Sequence, residues 1–160
     1  MLSWSADEAR TFLGITQKHR LYEAWVLLLT RGTRRGEVAG LRWDAVDFEG
    51  KHLQITRIRV VVKGKTIDLL PKTLSGKRLI SLDAQIIELL KSLKIRQEEE
   101  PAKAGDAWWA SGYVFRDELG KPYSPDYIYT VFKKLVLRSG LPDIRLHDLQ
   151  HTSASLMIAE

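Results

Sequence analysis

Residues 32–43 of the chain read GTRRGEVAGLRW, and this stretch decides how the rest of the sequence is interpreted. Gly32 ends an apolar helix predicted for about residues 20–30 and turns the chain into a further short helix, about residues 35–41. Arg34 then lies at the mouth of a helix, where its planar guanidinium can bind a phosphate through two hydrogen bonds. Glu37 shares a helical face with Arg34 and can hold it by a salt bridge. The alternative is that Arg34 and Arg35 are solvated surface charges.

A second informative stretch lies more than a hundred residues further on, where residues 147–152 read HDLQHT. His147 and His151 are four residues apart and share one face of a predicted helix, with Asp148 one step round. This spacing allows a zinc site of the His-Glu-x-x-His type as an alternative, although the sequence offers no third ligand. A further alternative is that one histidine packs or caps while the other is functional, and for His151 the following apolar residues favour packing.

Between these stretches, residues 52–82 change from helical periodicity to the alternation that is typical of strands. Apolar and polar residues alternate over 53–62, the turn Lys63-Gly64-Lys65 follows, and residues 66–70 return. A second turn at 74–76 precedes the strand 78–82. The pattern predicts a small antiparallel sheet of three strands.

Lys72 lies at the approach to the second of these turns, with Lys77 and Arg78 on its far side. A lysine on a β-turn can reach into a groove and protonate a leaving oxygen. The alternative is an ordinary hairpin lysine that keeps a sheet edge soluble.

Helices flank the predicted sheet on both sides. Ser5 and Glu8 form a capping-box pattern for a first helix, which is predicted to end near residue 16. Asp83 can cap a helix after the sheet, and Ser124 can cap another that ends at residues 139–140. A last helix is predicted to begin near His147. The fold class is therefore α+β: a mainly helical single domain, residues 1–160, with a small three-stranded antiparallel sheet.

Composition narrows the function classes. The 160 residues include 25 Lys+Arg against 20 Asp+Glu, and the resulting charge of +5 suits a polyanionic partner without proving one. The absence of cysteine excludes disulfides and thiolate metal sites. The longest apolar run, residues 24–29, is too short to cross a bilayer, and no signal-peptide pattern begins the chain. We expect a cytoplasmic protein with no membrane partner.

Taken together, these segments resemble the catalytic domain of the tyrosine recombinases, the phage-integrase family. The resemblance covers nearly the whole chain in the correct order. The segments that carry it are the arginine box at 34–37 with Leu41, Trp43, Val46 and Asp47, the PKT sequence at 71–73, the GKPYS sequence at 120–124, and GLP at 140–142 leading to HDL at 147–149.

The resemblance implies that the protein cuts and rejoins double-stranded DNA through a 3′-phosphotyrosine, with no metal or nucleotide cofactor. By position, Arg34 and the residue at position 150 clamp the scissile phosphate, Lys72 is the general acid, His147 assists proton transfer, and Glu37 buttresses the site. The family has arginine where this chain has Gln150, and its nucleophilic tyrosine follows the second box. We therefore expect a C-terminally incomplete catalytic domain that is inactive alone. The residues expected to contact DNA are Arg34, Arg35, Lys72 and Lys77.

Two further hypotheses accompany this one. The first is a degenerate recombinase relative that binds DNA or a recombinase partner without cleaving a strand, which Gln150 favours and intact Arg34, Lys72 and His147 oppose. The second is the zinc hydrolase mentioned above, which metal analysis discriminates. In the recombinase hypothesis, the partners are double-stranded DNA and other protomers in a synaptic complex.

Overall fold

A computed structural model describes residues 3–70 and 78–148, and within these ranges the chain forms six α-helices and five short strands. The helices are α1 (Ala6–Ile15), α2 (Tyr22–Thr30), α3 (Arg35–Ala39), α4 (Ala84–Gln97), α5 (Glu100–Ala104) and α6 (Pro125–Ser139). The strands are β1 (Val46–Asp47), β2 (His52–Ile55), β3 (Ile58–Val62), β4 (Lys65–Leu69) and β5 (Arg78–Ser81). The α+β class predicted from the sequence is confirmed.

The strands form two separate antiparallel sheets. One is three-stranded, in the order β1-β2-β5, with Leu53 opposite Val46 on one side and Ile80 on the other. The other is the hairpin β3-β4, which turns at Lys63 and Gly64, both with positive φ. These two positive φ values suit the right-handed twist of a two-residue hairpin turn.

The prediction of one continuous strand over residues 53–62 is wrong in detail, because the chain breaks at Thr56 and Arg57. Leu53 and Ile55 are buried on the same face of β2, so continuing their alternation would bury Arg57. The break avoids that burial and starts β3 at Ile58, which contacts α3. The first predicted strand therefore pairs with the last one through β2 and β5. The residues between them, in β3 and β4, form the hairpin.

The core surrounds α2, as the apolar character of residues 20–30 predicts. Seven of the nine α2 residues are buried, including Trp25. Its ring lies within about 6 Å of Phe12 on α1 and Phe132 on α6, and Trp4 completes the aromatic cluster. The arginine box therefore follows the carboxyl end of the most buried helix of the described structure.

The capping signals read from the sequence are also confirmed. Ser5 accepts the amide of Glu8 and the Glu8 carboxylate accepts the amide of Ser5, so the predicted capping box is present. Asp83 caps α4, and Ser124 caps α6, which ends at the left-handed Gly140. Residues 113–122 contribute two isolated bridges, Arg42 to Tyr113 and Arg116 to Pro122. The last predicted helix lies mostly outside the described residues.

Two glycines bring α3 against the hairpin. A Cβ on Gly36 would lie 2.7 Å from the carbonyl oxygen of Arg59 and 2.8 Å from a methyl carbon of Ile58. A Cβ on Gly40 would lie 2.9 Å from the carbonyl oxygen of Arg57. Helix and strand therefore meet backbone to backbone, which fixes the position of Arg34 at the start of α3.

Candidate nucleic-acid interface

Arg34 occupies the position predicted for it, directly before the first turn of α3. Gly32, with φ of 65°, turns the chain out of α2, and Arg34 is extended with ψ of 155°. Its backbone amide donates a 2.8 Å hydrogen bond to Oε1 of Glu37. Its side chain is exposed and forms no ion pair with a carboxylate in residues 3–70 and 78–148. The guanidinium is therefore presented to solvent from a fixed backbone.

Glu37 is held by a different arginine from the one predicted. The sequence suggested a salt bridge with the Arg34 side chain, but the described structure pairs the carboxylate with Arg78. Nε of Arg78 lies 3.0 Å from Oε2 of Glu37, and Nη2 lies 2.7 Å from Oε1. Glu37 is only 2% exposed, so this two-point pairing supplies the charge that its burial requires.

Arg78 also approaches the other side of Arg34, because its Nη2 donates to the carbonyl oxygen of Gly32 at 3.4 Å. One guanidinium thus spans the segment from Gly32 to Glu37 that presents Arg34. The hydrogen bonds and charge of Glu37 raise the pKa of Arg78 above its ordinary value, against a smaller opposing effect of burial. Arg78 remains cationic wherever the protein is folded.

Sequence reasoning placed Arg78 beside the lysine turn but did not assign it a role. A sequence separation of 41 residues from Glu37 hides the pairing. One signal was available: Glu37 lies on a short helix with apolar neighbours, so its burial requires a cation from elsewhere in the chain.

Arg35 is exposed like Arg34 but has a partner. Its guanidinium carbon lies 5.3 Å from the ring centroid of Tyr129 on α6, within cation–π range. The contact joins the start of α3 to α6. Arg35 therefore keeps its charge at the surface while its position is restricted by the aromatic ring.

The remaining predicted site residues are only partly covered by the structure. Lys72, Lys77 and Gln150 lie outside the described residues, and so does His151 of the zinc alternative. For His147 the described part is the backbone, within the 3-10 turn Leu146–Asp148. Convergence of these residues with Arg34 on one surface stays a prediction.

Asp148, next to His147, has a buried carboxylate that contacts Arg145. Its oxygens lie 3.3 Å from the backbone nitrogen, Nε and Nη2 of Arg145. The arginine neutralises the charge that burial would otherwise penalise. Within the described ranges, no three or more His, Asp or Glu side chains group in a way that would hold a metal ion.

A cavity of about 630 Å³ lies elsewhere, at the amino end of α2 next to Arg20, Glu100 and Arg116. Arg34 follows the opposite, carboxyl end of that helix. The concave pocket and the arginine box are therefore separate features. None of the helices in the described ranges has the length and apolar composition that a bilayer crossing requires.

Comparison with known proteins decides the family. The profile of the Phage integrase family matches residues 4–160, which is almost the entire chain. The chain belongs to the phage integrase family. The tyrosine-recombinase resemblance carried by the two boxes is thereby confirmed.

Individual relatives agree with this assignment. The XerC-like tyrosine recombinase of Caldanaerobacter subterraneus is 33% identical over 96% of this chain and 42% of its own length. The ICEBs1 integrase of Bacillus subtilis is 28% identical over 99% of this chain and 43% of its own. This phage-integrase chain thus spans about two fifths of the length of these relatives.

Solved structures confirm the fold of this phage integrase family member. The Tn1549 transposon integrase, solved with transposon right-end DNA, superposes with a TM-score of 0.81 at 22% identity, covering 99% of this chain and 53% of that one. The lambda integrase catalytic core gives a TM-score of 0.63 at 17% identity, over 99% of this chain and 84% of that one. The mixed arrangement of helices and small sheets is that of integrase catalytic domains.

Proposed function

We propose that this chain supplies the phosphate-binding part of a site-specific DNA recombinase, which cleaves and rejoins duplex DNA in the complete protein. The observation that carries the proposal is the Arg34 arrangement. An exposed guanidinium without an ion pair in the described structure projects from a backbone fixed by Glu37 and Arg78. In a member of the phage integrase family, this is the arginine expected to bind the scissile phosphate.

The chemistry assigned to the site is phosphoryl transfer. A tyrosine downstream of the second box attacks phosphorus and forms a 3′-phosphotyrosine, while the bond to the 5′ oxygen breaks. Lys72 protonates that leaving oxygen, and His147 assists the proton transfers. Arg34 stabilises the negative charge that accumulates on the nonbridging oxygens of the pentacoordinate transition state. Because the phosphotyrosine retains the bond energy, rejoining reverses the same steps.

Gln150 occupies the place of the family's second arginine and changes the expected rate. Its amide donates a hydrogen bond but supplies no positive charge. Loss of a charge-stabilising arginine slows other phosphoryl-transfer enzymes by about 10³- to 10⁵-fold. We therefore expect weak cleavage while Gln150 occupies this position.

The proposed partners are double-stranded DNA and further recombinase protomers in a synaptic complex, with action in the cytoplasm. The net charge of +5 and the arginine-rich start of α3 support a duplex partner. The Tn1549 transposon integrase, a structural relative, binds transposon right-end DNA in its solved structure, which also supports a DNA partner.

Gln150 supports one alternative, a relative that binds DNA or a recombinase without cleaving it. The two functions separate in an assay of the full-length gene product on a nicked suicide duplex, which traps the covalent intermediate. Recombinase function predicts a protein–DNA adduct through tyrosine that increases strongly in Gln150→Arg and disappears in Arg34→Ala. Arg10→Ala, an exposed arginine on α1, is the matched control and is expected to match the wild type.

Two results would separate the alternatives. DNA binding without an adduct in either the wild type or Gln150→Arg would establish the binding-module function. An adduct that forms equally well in Arg34→Ala would contradict the role assigned to Arg34.

A further inference from the structure

A second group of arginines lies between the hairpin and the body of the domain. Arg57 and Arg59 share the carboxylate of Asp68, at 3.6 Å and 3.2 Å. The hydroxyl of Tyr113 donates to the same carboxylate. The guanidinium carbons of Arg42 and Arg59 lie 5.2 Å and 5.1 Å from the centroid of the Tyr113 ring. We refer to Arg42, Arg57 and Arg59 as the hairpin arginine cluster.

Positive charge exceeds negative charge in the hairpin arginine cluster. Two of the three guanidiniums, those of Arg57 and Arg59, contact one partly buried carboxylate, that of Asp68, while Arg42 stacks on the Tyr113 ring. Among the described residues the cluster pairs with one further carboxylate, that of Asp44, which is 75% exposed and lies 3.7 Å from Nε of Arg42, so water and salt screen its effect. An anion placed against the cluster would reduce the mutual repulsion of the guanidiniums.

The hydrogen-bonding capacity of the cluster is also incompletely used. Nε of Arg57 and Nη1 of Arg59 are buried without a hydrogen-bond acceptor in the described part of the chain, and Nε of Arg42 and of Arg59 face the carboxylates of Asp44 and Asp68 at 3.7 Å and 3.2 Å without hydrogen-bond geometry. Buried donors in folded proteins are normally satisfied, and exceptions often mark a site whose ligand or ion is absent. Arg42 and Arg57 keep nearly a third of their side-chain surface exposed, so an incoming anion can reach their outer edges.

The cluster is adjacent to the Arg34 site. The Arg59 carbonyl is the atom that a Cβ on Gly36 would meet, and Gly36 is two residues from Arg34. Likewise, a Cβ on Gly40, at the other end of α3, would meet the Arg57 carbonyl. Helix α3 has only five residues, so the backbone that carries Arg57 and Arg59 packs within one short helix of Arg34. We therefore expect a DNA strand bound at Arg34 to pass close to the cluster.

We propose that the hairpin arginine cluster binds a nonscissile phosphate of the DNA backbone, beside the phosphate held at Arg34. This inference rests on the proposed DNA-binding function. The ligand chemistry is a phosphate group, and the cluster acts through charge and hydrogen bonding, without any covalent step. Its contribution is to affinity and register, because backbone contacts position a duplex without specifying its sequence.

A purely structural role predicts the opposite response to loss of Asp68. If the cluster only fastens the hairpin, Asp68→Asn weakens the fastening and leaves DNA affinity equal or lower. If the cluster binds phosphate, Asp68→Asn removes the competing negative charge and tightens DNA binding, about threefold or more at low salt. The sign of the change separates the two roles.

The experiment measures the dissociation constant of the full chain for a random-sequence duplex over a series of salt concentrations. Loss of one phosphate contact lowers the slope of log affinity against log salt by about 0.9. The double variant Arg57→Gln/Arg59→Gln is expected to lose about one unit of slope and to bind roughly tenfold more weakly at low salt. Arg10→Gln, at an exposed position of α1, is the control and is expected to keep the wild-type slope.

Two further measurements make the outcome decisive. Circular dichroism confirms that each variant is folded. Inorganic phosphate alone is titrated while the arginine Nε–H signals are followed by NMR. Signals of the cluster that shift with phosphate, together with wild-type salt slopes in all variants, would assign the site to free phosphate and overturn the inference.

The inference and the proposed function fail in distinguishable ways. A wild-type chain that does not bind DNA overturns both. Binding that weakens in Arg34→Ala but is unchanged in Asp68→Asn and in Arg57→Gln/Arg59→Gln overturns only the second phosphate site.

Discussion

Arg34 depends on two other charged residues for its position, although it contacts neither through its own guanidinium within the described structure. Glu37 accepts the Arg34 amide, and Arg78 links Glu37 to the Gly32 carbonyl. A group that must meet a phosphate with two hydrogen bonds loses less entropy on binding when its backbone is already fixed. Arg78 is therefore a positioning residue, and its effect is expected on folding stability as well as on activity.

Replacing Arg78 by alanine tests this arrangement. The buried Glu37 carboxylate would lose its cation, so we expect a loss of about 1–3 kcal/mol in the free energy of unfolding, moderated because Arg78 is 43% exposed. Urea denaturation measures the change. Arg10→Ala, whose partner Asp7 is almost fully exposed, is expected to cost under about 0.5 kcal/mol. Equal losses in the two variants would contradict the role of Arg78.

Glu23 on α2 gives a prediction about pH. Burial raises the pKa of its carboxyl above the ordinary value of 4.5, outweighing the nearby Arg96. The folded chain then binds more protons at Glu23 than the unfolded chain, so folding stability decreases as pH rises from 4.5 through the raised pKa. Glu23→Gln removes this titration, and its melting temperature relative to the wild type should increase between pH 4.5 and neutrality.

The control for this pH effect is Glu99→Gln, because Glu99 is exposed beside Lys103. Its melting temperature relative to the wild type is expected to stay nearly constant over the same range. A Glu23→Gln difference that is also constant, or that falls with rising pH, would show that Glu23 is not destabilised by burial.

At the scale of elements, the contact between α3 and β3 determines where the arginine box lies. Because Gly36 and Gly40 have no side chain, the helix approaches the strand backbone closely. Gly36→Ala would place a Cβ 2.7 Å from the Arg59 carbonyl and force the two elements apart. We expect a loss of about 1–3 kcal/mol in unfolding free energy and weaker DNA binding.

Gly14→Ala in α1 is the matched control for that substitution. No atom lies within 4 Å of a Cβ at Gly14, so alanine there is expected to stabilise the helix by about 0.5–1 kcal/mol. Changes of opposite sign in the unfolding free energy of the two glycine variants would confirm the close contact. A stabilising effect of Gly36→Ala would contradict it.

Elements with local signals were predictable from the sequence. The Ser5 and Glu8 capping box, Asp83, and the Ser124 and Gly140 pair each act within a few residues, and each ends or begins a helix as expected. The break at Thr56 and Arg57 was missed, although these two adjacent polar residues shift the apolar alternation from positions 53 and 55 to positions 58, 60 and 62. The pairing of Glu37 with Arg78 was missed because it joins residues 41 apart.

For the whole molecule, the proposed function requires that distant segments present positive charge to one DNA backbone. Membership of the phage integrase family and the TM-score of 0.81 with an integrase catalytic domain support the common fold. The packing of the described helices around α2 gives a rigid base for such a surface, because close-packed interiors resist displacement. Arg34 and Arg35 are exposed at the start of α3.

The most direct test is an experimental structure of the full-length gene product bound to its duplex. We expect the Arg34 guanidinium and the His147 imidazole both to lie within hydrogen-bonding distance, about 3 Å, of the same phosphate group. Arg34 and His147 more than about 15 Å apart on opposite faces would contradict the account, because side-chain rotation in a packed domain cannot close such a distance.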